Sequence, residues 1–399
     1  MSDVPSVSAA VAQLYNTYPF PPEPLLDKPP PGYNWRWNWL TAYHFCTGQK
    51  PAKQNIRILD AGCGTGVGTE YLVHLNPAAE VVGIDLSEGA LTVARERCQK
   101  SGATRATFHH LSLFDVEQLP GSFDLINCVG VLHHTADPVR GLQSLAKKLA
   151  PGGVMHIFVY GELGRWEIQL MQEAIALLQG DQRGDYQDGV QVGRQLFEAL
   201  PETNRLRQRE QERWSFDNHR DGYFADMYVH PQEIDYNVKT LFELIDASGL
   251  EFVGFSNPKV WDLQRLMGQN QGLLERAQRL SERQTYRLIE VLDPSSVSHY
   301  EFFLAKPPLL QTAWTEDELL LRAIPEPSPC LEHWRDSPQF FNPNYEPVSL
   351  EESEWNFLRS CDGNEEQQKK VEALLQETGS GLEAVRSLHR QQLILLTPS

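Results

Sequence analysis

The sequence predicts an alternating α/β fold: a mainly parallel sheet with crossover helices, followed by a small α+β domain. Three observations predict it. From Asn55 onward, apolar runs of strand length alternate with stretches of helical periodicity, which places strands side by side through helical crossovers. The first run, Ile56 to Leu59, leads into an acid and three glycines at alternate positions before a helix begins. After Pro307-Pro308 the pattern breaks, and an acidic, proline-rich stretch leads to three helical segments and a terminal apolar run.

Residues 1–50 read as an arm or cap, with a helix candidate at Val7 to Asn16 and then prolines and aromatics. Its run Tyr33-Asn34-Trp35-Arg36-Trp37-Asn38-Trp39 is too aromatic for a solvated linker. Such residues either pack the arm onto the main domain or offer aromatic walls to a ligand. Strand one ends at Asp60, with its helix from Gly66 to Leu75. Strand two, Glu80 to Ile84, ends at Asp85 and is followed by a helix from about Ser87 to Ser101. Strand three lies near Ala106 to His109, and strand four at Phe123 to Cys128. A helix at Val139 to Leu149 precedes the turn Pro151-Gly152-Gly153, which feeds strand five, Val154 to Tyr160. Glu251 to Phe255 and Tyr300 to Ala305 supply two further strands.

The main domain is thus expected over 51–308, with insertions at about 162–248 and 258–296. Insertions at those places sit over the carboxyl edge of such a sheet, where ligands bind. Residues 309–349 read as a linker. Residues 350–399, with turns at Asp362-Gly363 and Gly379-Ser380-Gly381 and a strand at Leu393 to Leu396, follow a winged-helix-like order.

Composition narrows the function. A hydrophobic content of 41% with 22% charged residues is that of a globular protein. A net charge of −18 argues against nucleic acid as the main partner. The six cysteines contain no C-x-x-C pair, so neither a zinc site nor a disulfide framework is expected. The start, Met-Ser-Asp-Val-Pro, lacks signal-peptide features, and no apolar run approaches the ~18 residues of a membrane span. The expectation is a cytoplasmic protein without a membrane span.

The glycine turn carries the chemistry. Gly64 is followed by Gly66 and Val67, so the spacing departs from the dinucleotide fingerprint G-x-G-x-x-G. Asp60, just before the first glycine, would repel a pyrophosphate and suits a cationic amino-acid ligand. The pattern Asp60-x-Gly62-x-Gly64-x-Gly66 resembles that of the class I S-adenosylmethionine (SAM) methyltransferases, a resemblance running to about Pro307. It implies a Rossmann-like seven-stranded sheet closed by the last two strands, with SAM as cofactor. Asp60, Gly62, Cys63, Gly64 and Gly66 would then face the amino-acid end, and Asp85 would accept the ribose hydroxyls. Leu86 would cover one face of adenine, and Ser112 with Leu113, or alternatively Asp115, would meet its edge. Backbone at Cys128 and Val129 would touch the methionine portion, and Leu132 or His133 the ligand.

Leu132-His133-His134 also resembles the segment after strand four in quinone-biosynthesis methyltransferases. Adjacent histidines point apart, so a shared metal is not expected. Tyr160-x-x-x-Gly164-Arg165 and Asp226-x-x-x-His230 resemble a subfamily of bacterial class I methyltransferases, and both would lie over the transferable methyl. His230 is then the base candidate, Arg165 a bidentate holder of an acidic group, and Tyr160, Asp226 and Tyr228 pocket lining. The alternative is that His230-Pro231 caps the next helix and Arg165 pairs with a carboxylate of the insertion. The arm and insertion suggest a partly apolar pocket, hence methyl transfer to O, C or N of a small or lipid-like molecule. A protein methyltransferase and a non-catalytic SAM-binding regulator are the other readings.

Overall fold

The computed structural model describes residues 4–361 and 368–398, so the Asp362-Gly363 turn lies outside the described residues. The chain forms two compact units. The first comprises Met1–Pro29, Arg57–Glu70 and Glu80–Lys306; the second comprises Pro30–Ile56, Tyr71–Ala79 and Pro307–Ser399.

The first unit is built on seven strands: β1 (Arg57–Ala61), β2 (Glu80–Asp85), β3 (Ala106–His110), β4 (Phe123–Val129), β5 (Leu149–Tyr160), β6 (Glu251–Phe255) and β7 (His299–Ala305). Their order is β3-β2-β1-β4-β5-β7-β6. β1 to β5 run parallel, and β7 lies antiparallel between β5 and β6. This is the Rossmann-like class I methyltransferase sheet. Register sets Asp60 beside Gly83 and Asn127, so the carboxyl ends of β1, β2 and β4 lie together. The apolar runs bury both faces, with Ile58, Leu59, Val81, Leu125, Ile126 and Ile157 between 0% and 1% exposed. β5 starts five residues earlier than the sequence suggests. Pro151-Gly152-Gly153 does not precede the strand but lies within it, where the pairing with β4 slips a register between Phe123 and Leu125.

The first insertion folds as helices, chiefly Trp166–Gln179, Tyr186–Ala199, Asp221–Tyr228 and Val238–Ser248. The N-terminal helix Val4–Thr17 joins it, and Leu14 shares a small core with Ile168, Met171, Ile175, Val190 and Phe224. The second insertion is also helical, ending in Glu282–Leu292, which begins with a capping box at Ser281 and Gln284.

The second unit corrects two expectations. Residues 309–349 are not a bare linker, because they contain the strands β8 (Ile324–Pro327), β9 (Gln339–Phe341) and β10 (Pro347–Ser349). The helices Glu352–Ser360, Val371–Thr378 and Leu382–Arg390 precede β11 (Ile394–Thr397), which pairs antiparallel with β8. The tryptophan run belongs to this unit and not to the first. Tyr33 stacks on Tyr345 at 4.7 Å, and the Trp35 indole N–H donates to Asn344 Oδ1 at 2.8 Å. Two basic groups of the last helix and its C-cap region are neutralised locally, Arg386 by Asp317 and Arg390 by Glu383. No described helix is long and apolar enough to cross a membrane.

Candidate functional site

The glycine turn after β1 is held from three sides. The N–H groups of Gly62 and Cys63 both donate to Ile84 O, and that of Gly66 to Cys63 O. Gly64 N–H donates to Asp85 Oδ2 at 2.8 Å, and Thr65 N–H to Phe20 O at 3.0 Å. Every amide from Gly62 to Gly66 is therefore committed inside the protein, and the turn offers no nest of donors to a phosphate. Acids take that place. Asp60 lies beneath the turn, 3% exposed, and Asp85 stands half-buried at its edge. A site of carboxylates and carbonyls suits a cationic ligand such as SAM, whose α-ammonium and sulfonium are positive.

The glycines are also required for packing. A Cβ on Gly62 (φ +76°) would lie 2.3 Å from Val131 Cγ2, and one on Gly64 (φ +51°) 2.3 Å from Phe20 O. Gly64 thus makes room for the N-terminal segment, a role that local spacing does not reveal. That segment crosses the turn: Thr65 Oγ1 donates to Pro21 O at 2.6 Å, and Ser87 Oγ to Asn16 Oδ1 at 2.7 Å. The Arg97 guanidinium, 2% exposed, donates to Thr65 O, Pro24 O and Glu23 O and faces Glu70 at 3.6 Å.

The two acids differ. Asp60 accepts from Thr69 Oγ1 (2.6 Å) and Asn127 Nδ2 (2.8 Å), while burial pushes its carboxyl upward against those bonds. Asp85 Oδ1 accepts Ser87 N–H at 2.8 Å, which fixes the N-cap of helix Glu88–Ser101. Leu86, Ser112, Val129 and Val131 are half-buried at neighbouring strand ends. The side chains of Leu113, Cys128 and Leu132 are 0% to 6% exposed and belong to the apolar core. They can act only by shape or backbone. Asp115 is exposed in the turn Leu113–Gln118.

A second cluster gathers beyond β4 and β5. His133 and His134 follow β4, Tyr160 ends β5, and Asp226 and His230 come from the first insertion. The His134 and His230 rings stack 3.6 Å apart at 25°, and His133 lies 4.1 Å from both His134 and Tyr160. The Tyr15 hydroxyl donates to Asp226 Oδ1 at 2.8 Å, so the N-terminal helix also reaches this cluster. Sequence reasoning did not select Tyr15; its partner lies 211 residues away, beyond any local signal. Burial lowers the pKa of His133 and His230 well below the imidazole range, and that of His134 to about 4, with Asp226 opposing the last. His133 has neither ring nitrogen paired, and His230 Nε2 is also buried without a partner.

Arg165 does not offer a free fork to a substrate. It faces Glu233 at 3.2 Å and Asp235 at 3.9 Å and lies 3.4 Å over the Tyr160 ring, so the pairing within the insertion is the one formed. Gln169 completes this group by donating to Asp235 Oδ2 at 3.0 Å. His230-Pro231 does not cap the following helix, whose N-cap is Asn237. A cavity of about 710 Å³ opens beside His230, with Gln169, Gln172, Gln179, Gln232 and Glu233 in its wall. Among the described residues, no group of three or more His, Cys, Asp or Glu is arranged to hold a metal.

Residues 59–155 match the model of the family described as "Methyltransferase domain". PKMT2 from Rickettsia typhi has a similar fold, with a TM-score of 0.63 at 15% identity over 92% of this chain and 76% of that one. A second structure of that protein is in complex with AdoHcy. A 98-residue stretch is 40% identical to the ubiquinone biosynthesis O-methyltransferase of Aromatoleum aromaticum, covering 24% of this chain and 41% of that enzyme. An uncharacterized phycocyanin operon protein W of Pseudanabaena tenuis is 80% identical over 101 residues, 25% of this chain and 94% of that protein. An uncharacterized protein of Synechococcus sp., syc1184_c, is 58% identical over 395 residues, 99% of this chain and 94% of that one. The chain belongs to the family of this Synechococcus protein, and it is a class I SAM-dependent methyltransferase.

Proposed function

We propose that the chain transfers a methyl group to an oxygen or nitrogen of a polar acceptor seated beside His230. The wall of the 710 Å³ cavity carries this reading: His230, Glu233 and the oxygens of its glutamines supply polar groups beside the apolar Ile175, Leu177 and Val229, so a polar acceptor can be both bonded and enclosed. On the cofactor side, the half-buried Asp85 takes the ribose hydroxyls, and Leu86 and Ser112 take the adenine. Asp60 with the turn Gly62-Cys63-Gly64-Thr65-Gly66 shapes the amino-acid end, and backbone at Cys128 and Val129 the methionine portion. When bound, SAM supplies an electrophilic methyl on a sulfonium. The protein's part is alignment and, for an oxygen or nitrogen acceptor, a place for the departing proton. The Arg165 guanidinium lies 3.4 Å over the Tyr160 ring, and His133 packs 4.1 Å from the same ring.

A small molecule fits the cavity by volume. The 80% identical relative named for the phycocyanin operon supports a second reading, in which the acceptor is a polar side chain of a phycocyanin polypeptide. The partial likeness to ubiquinone-pathway enzymes supports the small-molecule reading only weakly, because it covers 41% of that enzyme. One assay separates the two. The full chain is incubated with methyl-labelled SAM and either a small-molecule extract or isolated phycocyanin subunits from a strain lacking this gene. Label in the extract supports the first acceptor and label in a phycocyanin subunit the second. Label in neither contradicts both.

A further inference from the structure

Two stacked histidines are anchored to the peptide of one residue. Gln232 N–H donates to His230 Nδ1 at 3.1 Å, and His134 Nδ1 lies 3.0 Å from Gln232 O. With the rings in these orientations, the contacts set the tautomers of the neutral imidazoles. An amide N–H can only donate, so His230 Nδ1 carries the lone pair and the ring proton of the neutral imidazole sits on Nε2. A carbonyl oxygen can only accept, so His134 Nδ1 carries the proton and its Nε2 carries the lone pair. The pair therefore presents one donor, His230 Nε2–H, and one acceptor, His134 Nε2.

The surroundings of His230 point to a ligand there. His230 Nε2 is buried without a partner, and His230 is part of the wall of the 710 Å³ cavity. An orphan buried N–H is costly unless something fills it. At His134 burial opposes the charged form most and Arg165 adds to this, while Asp226 and the bond to Gln232 favour it.

We propose that His134 Nε2, rather than His230, receives the proton of the acceptor atom, and that His230 Nε2–H donates a hydrogen bond that orients the acceptor. This deepens the polar-acceptor reading and rests on it. As the bond from the acceptor oxygen or nitrogen to the methyl carbon forms, the carbon–sulfur bond breaks and its electron pair stays on sulfur. The acceptor's proton passes to His134 Nε2, and the transient imidazolium, held near Asp226, releases it to water.

The tautomers are tested without any acceptor. The full chain is labelled with ¹⁵N-histidine, and long-range ¹H–¹⁵N spectra are recorded near neutral pH, with assignment from His134→Asn and His230→Asn. His134 is expected as the Nδ1–H form and His230 as the Nε2–H form; the reverse at His134 overturns the proposal whatever the acceptor proves to be. Turnover is then measured with the acceptor pool that takes label. His134→Asn keeps a donor for Gln232 O and loses the Nε2 acceptor, so kcat should fall about 100-fold or more with affinity for S-adenosylhomocysteine within about threefold. His230→Gln, which keeps an N–H at the Nε2 position, should retain more turnover than His230→Asn. Near-normal turnover of His134→Asn beside a dead His230→Asn would return the base to His230 and overturn the assignment. Absence of label in both pools with the expected tautomers would instead strike the polar-acceptor reading.

Discussion

Asp85 serves two ends with one carboxylate, since it holds Gly64 N–H and Ser87 N–H while staying half-buried at the strand edge. Asp85→Ala should weaken SAM binding about 10- to 100-fold by calorimetric titration, the range for losing hydrogen bonds to a charged group. Unchanged affinity would remove Asp85 from the site. Asp235 makes a pH prediction. Burial, then Glu233, raises its carboxyl to about 7 against the pull of Arg165. A raised folded pKa means the folded state holds the proton between about pH 4 and 7, so its contribution to stability is full below pH 4 and lost as pH rises through 7. Asp235→Asn should therefore raise Tm by a few degrees at pH 8 and by little at pH 4; equal shifts at both would refute this. Residues in this site were legible to different degrees. Asp85, His230 and Tyr160 stood out because strand ends and titrating side chains carry local signals. The commitment of Arg165 to Glu233 and Asp235 was open, because charge pairing depends on which insertion residues fold back.

At the scale of elements, the N-terminal segment is a structural part of the glycine turn. Arg97 ties it down through buried bonds to Thr65, Pro24 and Glu23. Arg97→Met leaves Glu70, 1% exposed, without its ion pair and frees the segment. Removing one partner of a buried pair costs about 3–5 kcal/mol, so a clear drop in Tm and faster proteolytic cleavage between residues 16 and 24 are expected. A wild-type cleavage rate would show that the segment is held elsewhere. The strands of the sheet were readable because apolar runs bounded by turns repeat along the chain. The start of β5 was not, since Gly152 and Gly153 look like a turn whether they end a loop or bulge a strand. The tryptophan run was likewise recognisable as packed, but its partners at Asn344 and Tyr345 lie some 310 residues away.

At the scale of the whole chain, the cofactor and the reaction class follow from the first unit, and the acceptor depends on the helical insertion. The match to the ubiquinone-pathway enzymes spans 98 residues, so likeness there speaks to the shared cofactor fold. The central claim is methyl transfer to a polar acceptor at the His134–His230 pair. The most direct measurement is the amount of label passed from methyl-labelled SAM into the small-molecule and phycocyanin pools by the full chain, beside Asp85→Ala and His134→Asn. The account predicts label in one pool with the wild-type chain, and strong loss in both variants. SAM binding at full strength with no label in either pool would contradict it.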